Sequence, residues 1–133
     1  MSHANLELLR KGIDAWNRRE VDLWLDYAAP EIEWLPAGPA AVERSVYRGY
    51  DEVRTGIEAA WETWDVFEFE ESEMRDLGDS VLWLGRVKMR GRTSGVELDQ
   101  EFAIHSVLRD GKFILMHTFL SWQEALEAVH LRE

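Results

Sequence analysis

The stretch DSVLWLGRVKMRGRTSGVELDQEFAIHSVLR, residues 79–109, constrains this chain more than any other. Two runs of strand-like character flank GRTSG, a turn signal, so the segment predicts an antiparallel hairpin. Its charges also pick the register. Placing Arg90 opposite Glu97 brings Lys88 opposite Asp99 and Arg86 opposite Glu101, three opposite-charge pairs on one face, each worth about 0.2–1 kcal/mol. A slip of one residue would turn every side chain to the other face. The second face then pairs Met89 with Leu98, Val87 with Gln100, Gly85 with Phe102, Trp83 with Ile104 and Val81 with Ser106. Gln100 is the polar residue in that row, and it either satisfies a neighbouring backbone group or orients a ligand.

Upstream of the hairpin, Leu6, Leu9, Ile13 and Trp16 recur at helical spacing, and VDLWLDYAA continues the pattern until Pro30, which predicts two N-terminal helices. EIEWLP alternates as a short strand with Ile32, Trp34 and Pro36 on one face, and AGPAAVERSVYRG then breaks all periodicity and reads as a mobile loop. Val53, Ile57, Ala60, Trp61 and Trp64 share one face of a third helix, DEVRTGIEAAWETW, whose acidic start suits the positive end of a helix dipole. The acidic run FEFEESE reads as a solvated strand edge. Trp16, Trp34, Trp61 and Trp83 fall on the inward faces of four separate elements, either filling a core or walling a pocket for a flat apolar molecule.

A chain of 133 residues supports one well-packed domain over 1–133. A net charge of -11 with no basic stripe argues against nucleic acid and anionic membranes, and no apolar run is long enough to span a bilayer. With no cysteine there is no disulfide, thiolate metal site or cysteine nucleophile. MSHANLELLRKG lacks the apolar core of a signal peptide, so the expected location is the cytoplasm. His105 and His117 could meet on adjacent strands, but no third ligand is spaced to complete a metal site, and neither a metal nor a cofactor is expected.

The order helix, short helix, strand, long loop, helix and curved sheet with a closing helix resembles the nuclear transport factor 2-like superfamily and its SnoaL-like branch. The segments AWNRREVDLWLDYAAPEIEW, YRGYDEVR and RDGKFILMHTFLSWQEALEAV carry the resemblance, which covers nearly the whole chain. It implies an α+β fold, also described as cystatin-like: a cone-shaped, curved antiparallel or mixed sheet with the N-terminal helices on its concave face and a deep apolar pocket between. Members include polyketide cyclases, ketosteroid isomerase, dehydratases, epoxide hydrolases and non-catalytic subunits, so the fold alone does not assign an activity.

Carrying the ketosteroid isomerase site across gives a negative result. Its oxyanion-hole tyrosine falls at Gly12, its base at Leu35 or Pro36 and its protonated aspartate at Ile104, none of which can move a proton or hold an enolate. Of the acids a cyclase would use, Asp99 and Glu101 fall on the charged outer face, while Asp14 and Glu33 remain open at the pocket mouth.

His117 depends on the turn at RDG. A two-residue turn at Asp110 and Gly111 pairs Arg109 with Lys112 and points His117 into the pocket opposite Ile104; a three-residue turn pairs Leu108 with Lys112 and aims Met116, Thr118 and Leu120 inward instead. The resemblance favours the second, because related endings carry arginines at the positions of Leu115 and His117. Phe113, Leu115 and Phe119 would then face outward and form a homodimer interface. The expected function is binding of a hydrophobic small molecule by Trp16, Trp34, Trp61, Trp83, Gln100, Ile104, Met116 and Thr118, with isomerase, cyclase or dehydratase chemistry unassigned. The alternative is a non-catalytic dimeric interaction domain whose pocket is filled by its own tryptophans.

Overall fold

A computed structural model describes residues 2–37 and 44–132. Helix α1 (Ser2–Asn17) and the short α2 (Val21–Asp26) lead into β1 (Ala28–Leu35), then β2 (Tyr47–Arg48) and α3 (Gly49–Thr63). Strands β3 (Trp64–Asp76), β4 (Ser80–Gly91), β5 (Glu97–Arg109) and β6 (Lys112–Phe119) follow, and α4 (Trp122–Arg132) ends the chain. The six strands form one sheet in the order β2-β1-β6-β5-β4-β3, mixed because β1 runs parallel to β6. Helices α1, α2 and α3 pack on one face, where Leu9, Ile32, Val53, Ile57, Trp83 and Phe113 form the main core. Helix α4 lies on the opposite face over Leu82, Leu84 and Ala103. Among the described residues no helix is long and apolar enough to cross a membrane.

The β4–β5 register is the one the charges dictate: Arg90 pairs with Glu97, Lys88 with Asp99, Arg86 with Glu101 and Val87 with Gln100. The ion pairs themselves run elsewhere. Arg86 bonds diagonally to Asp99 at 2.9 Å, while Lys88 and Arg90 turn to Glu70 and Asp65 of β3 at 3.8 and 2.5 Å. Side chains this long reach past the facing residue, so charge patterning fixes the strand alignment without fixing the partners. The acidic FEFEESE lies in β3, the sheet's edge strand, with Phe67 and Phe69 turned inward.

Several boundaries differ from the sequence reading. Helix α2 stops at Asp26, three residues short of Ala29, because the Tyr27 carbonyl accepts from the Phe113 N–H and Ala28 already pairs with Phe113. Trp64 opens β3 instead of closing α3. In the long loop, residues 38–43 lie outside the described residues, and its end supplies the two-residue β2.

The last hairpin combines features of both turns considered above. Asp110 (φ 54°) and Gly111 (φ 74°) make the two-residue turn, and Arg109 pairs with Lys112. Between that turn and the body of the strand, however, Leu108 pairs with Phe113 and Val107 with Leu115, so Ile114 is an extra residue on β6. This bulge reverses the alternation. His117 therefore pairs with His105, not Ile104, while Met116 and Thr118 face inward. Phe113, expected on an outer interface, is instead fully buried with its ring 6.1 Å from that of Trp24.

Two sites in the sheet give direct tests. A Cβ on Gly85 would lie 2.2 Å from the Glu70 carbonyl oxygen and 2.5 Å from the Trp83 ring. Gly85→Ala must push β3 away or displace the indole, and denaturant unfolding is expected to show a loss of about 1–3 kcal/mol; a change within error would refute this account of the β3–β4 packing. The Asp65 carboxyl is held below its usual pKa by its hydrogen bond to Arg90 and then by that residue's charge. A depressed pKa contributes stability at neutral pH that is lost as pH falls through the folded value, so the stability difference between the parent and Asp65→Asn should fade below about pH 4.

Candidate functional site

Between the helices and the concave face of the sheet lies a cavity of about 390 Å³. Its walls come from α1, α2, α3, β1 and the inward rows of β3 to β6, because the side chains on those faces are spaced to meet in the interior. Of the eight candidate residues, Trp16, Trp34, Gln100, Ile104, Met116 and Thr118 line it. Trp61 and Trp83 do not. Trp61 stands behind Trp16, ring centroids 5.3 Å apart, with the Arg19 guanidinium 5.9 Å from its own ring. Trp83 is fully buried with no hydrogen-bond partner for its indole nitrogen among the described residues, and it fits there because Gly85 leaves room for its ring.

The remaining wall is aromatic to an extent that inward-facing tryptophans alone did not indicate. Trp24, Tyr47, Trp64, Phe67, Phe69 and Phe102 all contribute. Trp16 meets Phe67 edge-on at 5.0 Å, Phe69 stacks on Phe102 at 5.2 Å, and Trp34 stacks on Tyr47 at 4.9 Å. The alternation of Phe67 and Phe69 within FEFEESE was the available signal for β3. The Trp34–Tyr47 stack needs Gly56 of α3, where a Cβ would come within 2.7 Å of the indole and 2.9 Å of the phenol ring.

Polar groups at the wall are few. The Trp16 indole N–H donates to the Phe67 carbonyl at 3.0 Å and the Thr118 hydroxyl donates to the Leu35 carbonyl at 3.1 Å. Gln100 sits in the apolar row with Leu98 and Phe102, half-buried. No Asp, Glu, His, Lys or Arg is among the described lining residues. Both acids left open at the mouth are engaged outside the cavity: Asp14 pairs with Arg18 at 3.1 Å and Glu33 with Arg48 at 3.0 Å. No cluster of three or more His, Asp or Glu that could hold a metal occurs among the described residues.

Of the three ketosteroid isomerase positions, Gly12 faces the Phe113 ring, where a Cβ would approach to 3.1 Å, and Ile104 offers the cavity only hydrocarbon. Leu35 belongs to β1, next to Trp34, and Pro36 follows the strand.

A model of the SnoaL-like domain matches residues 9–116, and the chain belongs to this family. No curated protein matches the chain. Solved structures share its fold. The protein TerC, co-crystallised with polyporic acid, is 16% identical with a TM-score of 0.79, covering 96% of this chain and 98% of its own. A nuclear transport factor 2-like protein from Burkholderia pseudomallei K96243 is 17% identical with a TM-score of 0.80, covering 93% and 95%. A protein from Jannaschia sp. CCS1 assigned as a SnoaL-like polyketide cyclase is 17% identical with a TM-score of 0.79, covering 96% and 92%. The fold is thus that of nuclear transport factor 2-like proteins.

Since Trp83 lies behind the wall, Trp83→Ala is expected to lower stability by about 3–5 kcal/mol, the range for a buried large-to-small change. Chemical denaturation monitored by far-ultraviolet circular dichroism checks this. A loss under 1 kcal/mol would place the indole outside the core.

Proposed function

We propose that this protein binds a flat, hydrophobic small molecule in the aromatic cavity. The observation that carries the reading is an apolar enclosure of about 390 Å³ whose walls are largely indole and phenyl rings, which falls in the size range of small-molecule sites. The co-crystallisation of TerC with polyporic acid in the same fold supports it. The interaction-domain alternative asks the tryptophans to fill the interior, whereas Trp16 and Trp34 stand at the edge of open volume. The test is titration with 1-aminoanthracene, a planar apolar fluorophore whose emission rises out of water. Saturable binding is expected, and Ala60→Phe, which projects a ring from α3 into the cavity, should weaken it by about tenfold or more with little change in melting temperature. Binding unaffected by that substitution would locate the probe elsewhere.

The cavity's described walls lack the carboxylates of a ketosteroid isomerase, so the protein is expected to show no turnover of a Δ5-3-ketosteroid above that of a generic base. Robust turnover would overturn the residue assignment at Gly12, Leu35, Pro36 and Ile104. We further propose that two copies associate through the outer sheet face at Leu115 and His117, both half-buried and beyond the patch that α4 covers. Sedimentation at micromolar concentration should report a dimer.

A further inference from the structure

We propose that the cavity selects unionised planar molecules carrying a hydroxyl or carbonyl, that Gln100 is the residue that recognises that oxygen, and that the carboxylate form of a similar ligand is excluded. The inference rests on the small-molecule reading above and gives its ligand a chemical class. The Trp16 indole N–H and the Thr118 hydroxyl are already committed to the Phe67 and Leu35 carbonyls. The Gln100 amide, like the Tyr47 and Thr63 hydroxyls that also line the cavity, makes no side-chain hydrogen bond to another described residue, and it alone lies on the sheet wall between Leu98 and Phe102, opposite Val87. An amide offers a donor and an acceptor at every pH, so it can pair with either a hydroxyl or a carbonyl.

Charge works against an anion in two ways. An ionised carboxylate entering this space would lose its hydration with no Lys, Arg or His among the described lining residues to replace it. The chain's net charge of -11 adds a long-range repulsion. A neutral aromatic loses little hydration and gains the ring faces of Trp16, Trp34 and Phe102.

Three competitors of one shape separate these effects at pH 7: naphthalene, 2-naphthol and 2-naphthoate, each measured by displacement of 1-aminoanthracene. We expect 2-naphthol to compete at least about tenfold better than 2-naphthoate. Gln100→Leu should weaken 2-naphthol by about three- to tenfold, the worth of one neutral hydrogen bond, and leave naphthalene unchanged. Gln100→Lys, which supplies a cation at the same point, should improve 2-naphthoate relative to 2-naphthol and tests the same assignment if the leucine variant fails to fold. Equal competition by 2-naphthoate and 2-naphthol, or equal weakening of naphthalene and 2-naphthol by Gln100→Leu, would overturn the inference and leave the cavity reading intact. Failure of 1-aminoanthracene to bind the parent protein would overturn both.

Discussion

The cavity depends on a clasp formed by three residues, Trp16, Asn17 and Arg19, at the end of α1. The Trp16 indole N–H reaches the Phe67 carbonyl, and the Asn17 side-chain amide both donates to the Phe69 carbonyl at 3.0 Å and accepts from the Phe69 N–H at 2.9 Å. Asn17 thus completes β3 at an edge that would otherwise present unpaired backbone groups. Arg19 then spans to the junction of α3 and β3, where its guanidinium donates to the carbonyls of Trp61, Trp64 and Asp65 at 2.7 to 2.9 Å. These bonds satisfy carbonyls at the C-terminal end of α3 and the start of β3, where Arg92 donates as well. Arg19 itself holds a left-handed backbone (φ 57°), with its N–H on the Trp16 carbonyl and the Glu20 N–H on the Ala15 carbonyl, the pattern in which glycine is the usual residue. An arginine tolerates that conformation here because its side chain is needed for the next helix.

Holding helices to a sheet by polar contacts at their ends has a consequence for what lies between them. A helix fastened only by interdigitated side chains would have to fill the interior to be stable. With α1 fixed at Trp16 and Asn17, and α3 fixed through Arg19 and Arg92, whose guanidinium donates to the Glu62 and Trp61 carbonyls, the middle of the layer can stay open. The indole of Trp16 serves both ends of this arrangement, its N–H bonded to the sheet and its rings packed against Trp61 and Phe67 while lining the cavity. Burial of Arg19, reinforced by nearby Arg92, lowers its pKa from the ordinary value, the electrostatic counterpart of two cations sharing one helix terminus.

How much of this could be read from the sequence varied with the kind of signal. The β4–β5 register was fully legible, since alternating charges and apolar residues reinforce one alignment and a slip would violate every pair. The phase of β6 was not, because the two-residue turn and the Ile114 bulge each shift the alternation, and a bulge leaves no local mark in ILMHTF. Met116 and Thr118 do face inward, but through the two-residue turn and the bulge and not the three-residue turn that the resemblance favoured, and Phe113, before the bulge, falls inward as well. The tryptophans fail for another reason. Facing inward is a property of strand and helix periodicity, but reaching a cavity depends on depth, and Trp83 remains in the core because Gly85 beside it has no side chain to lift its ring toward the lumen. The clasp was invisible because Asn17 and Arg19 act through backbone groups 42 to 52 residues away, which no periodicity records.

The distribution of charge completes the picture of a site built by exclusion. Several arginines are paired at the surface: Arg10 with Glu71, Arg54 with Asp22, Arg86 with Asp99 and Arg90 with Asp65. Exposed pairs of this kind add little stability. The cavity is lined by rings, methyls, three hydroxyl-bearing residues and a lone amide, as far as the described residues reach. Catalysis of proton transfer needs a group whose protonation changes near neutral pH, whereas selective binding needs only shape, ring faces and one directional hydrogen bond. The binding role proposed above asks only for the second set of requirements.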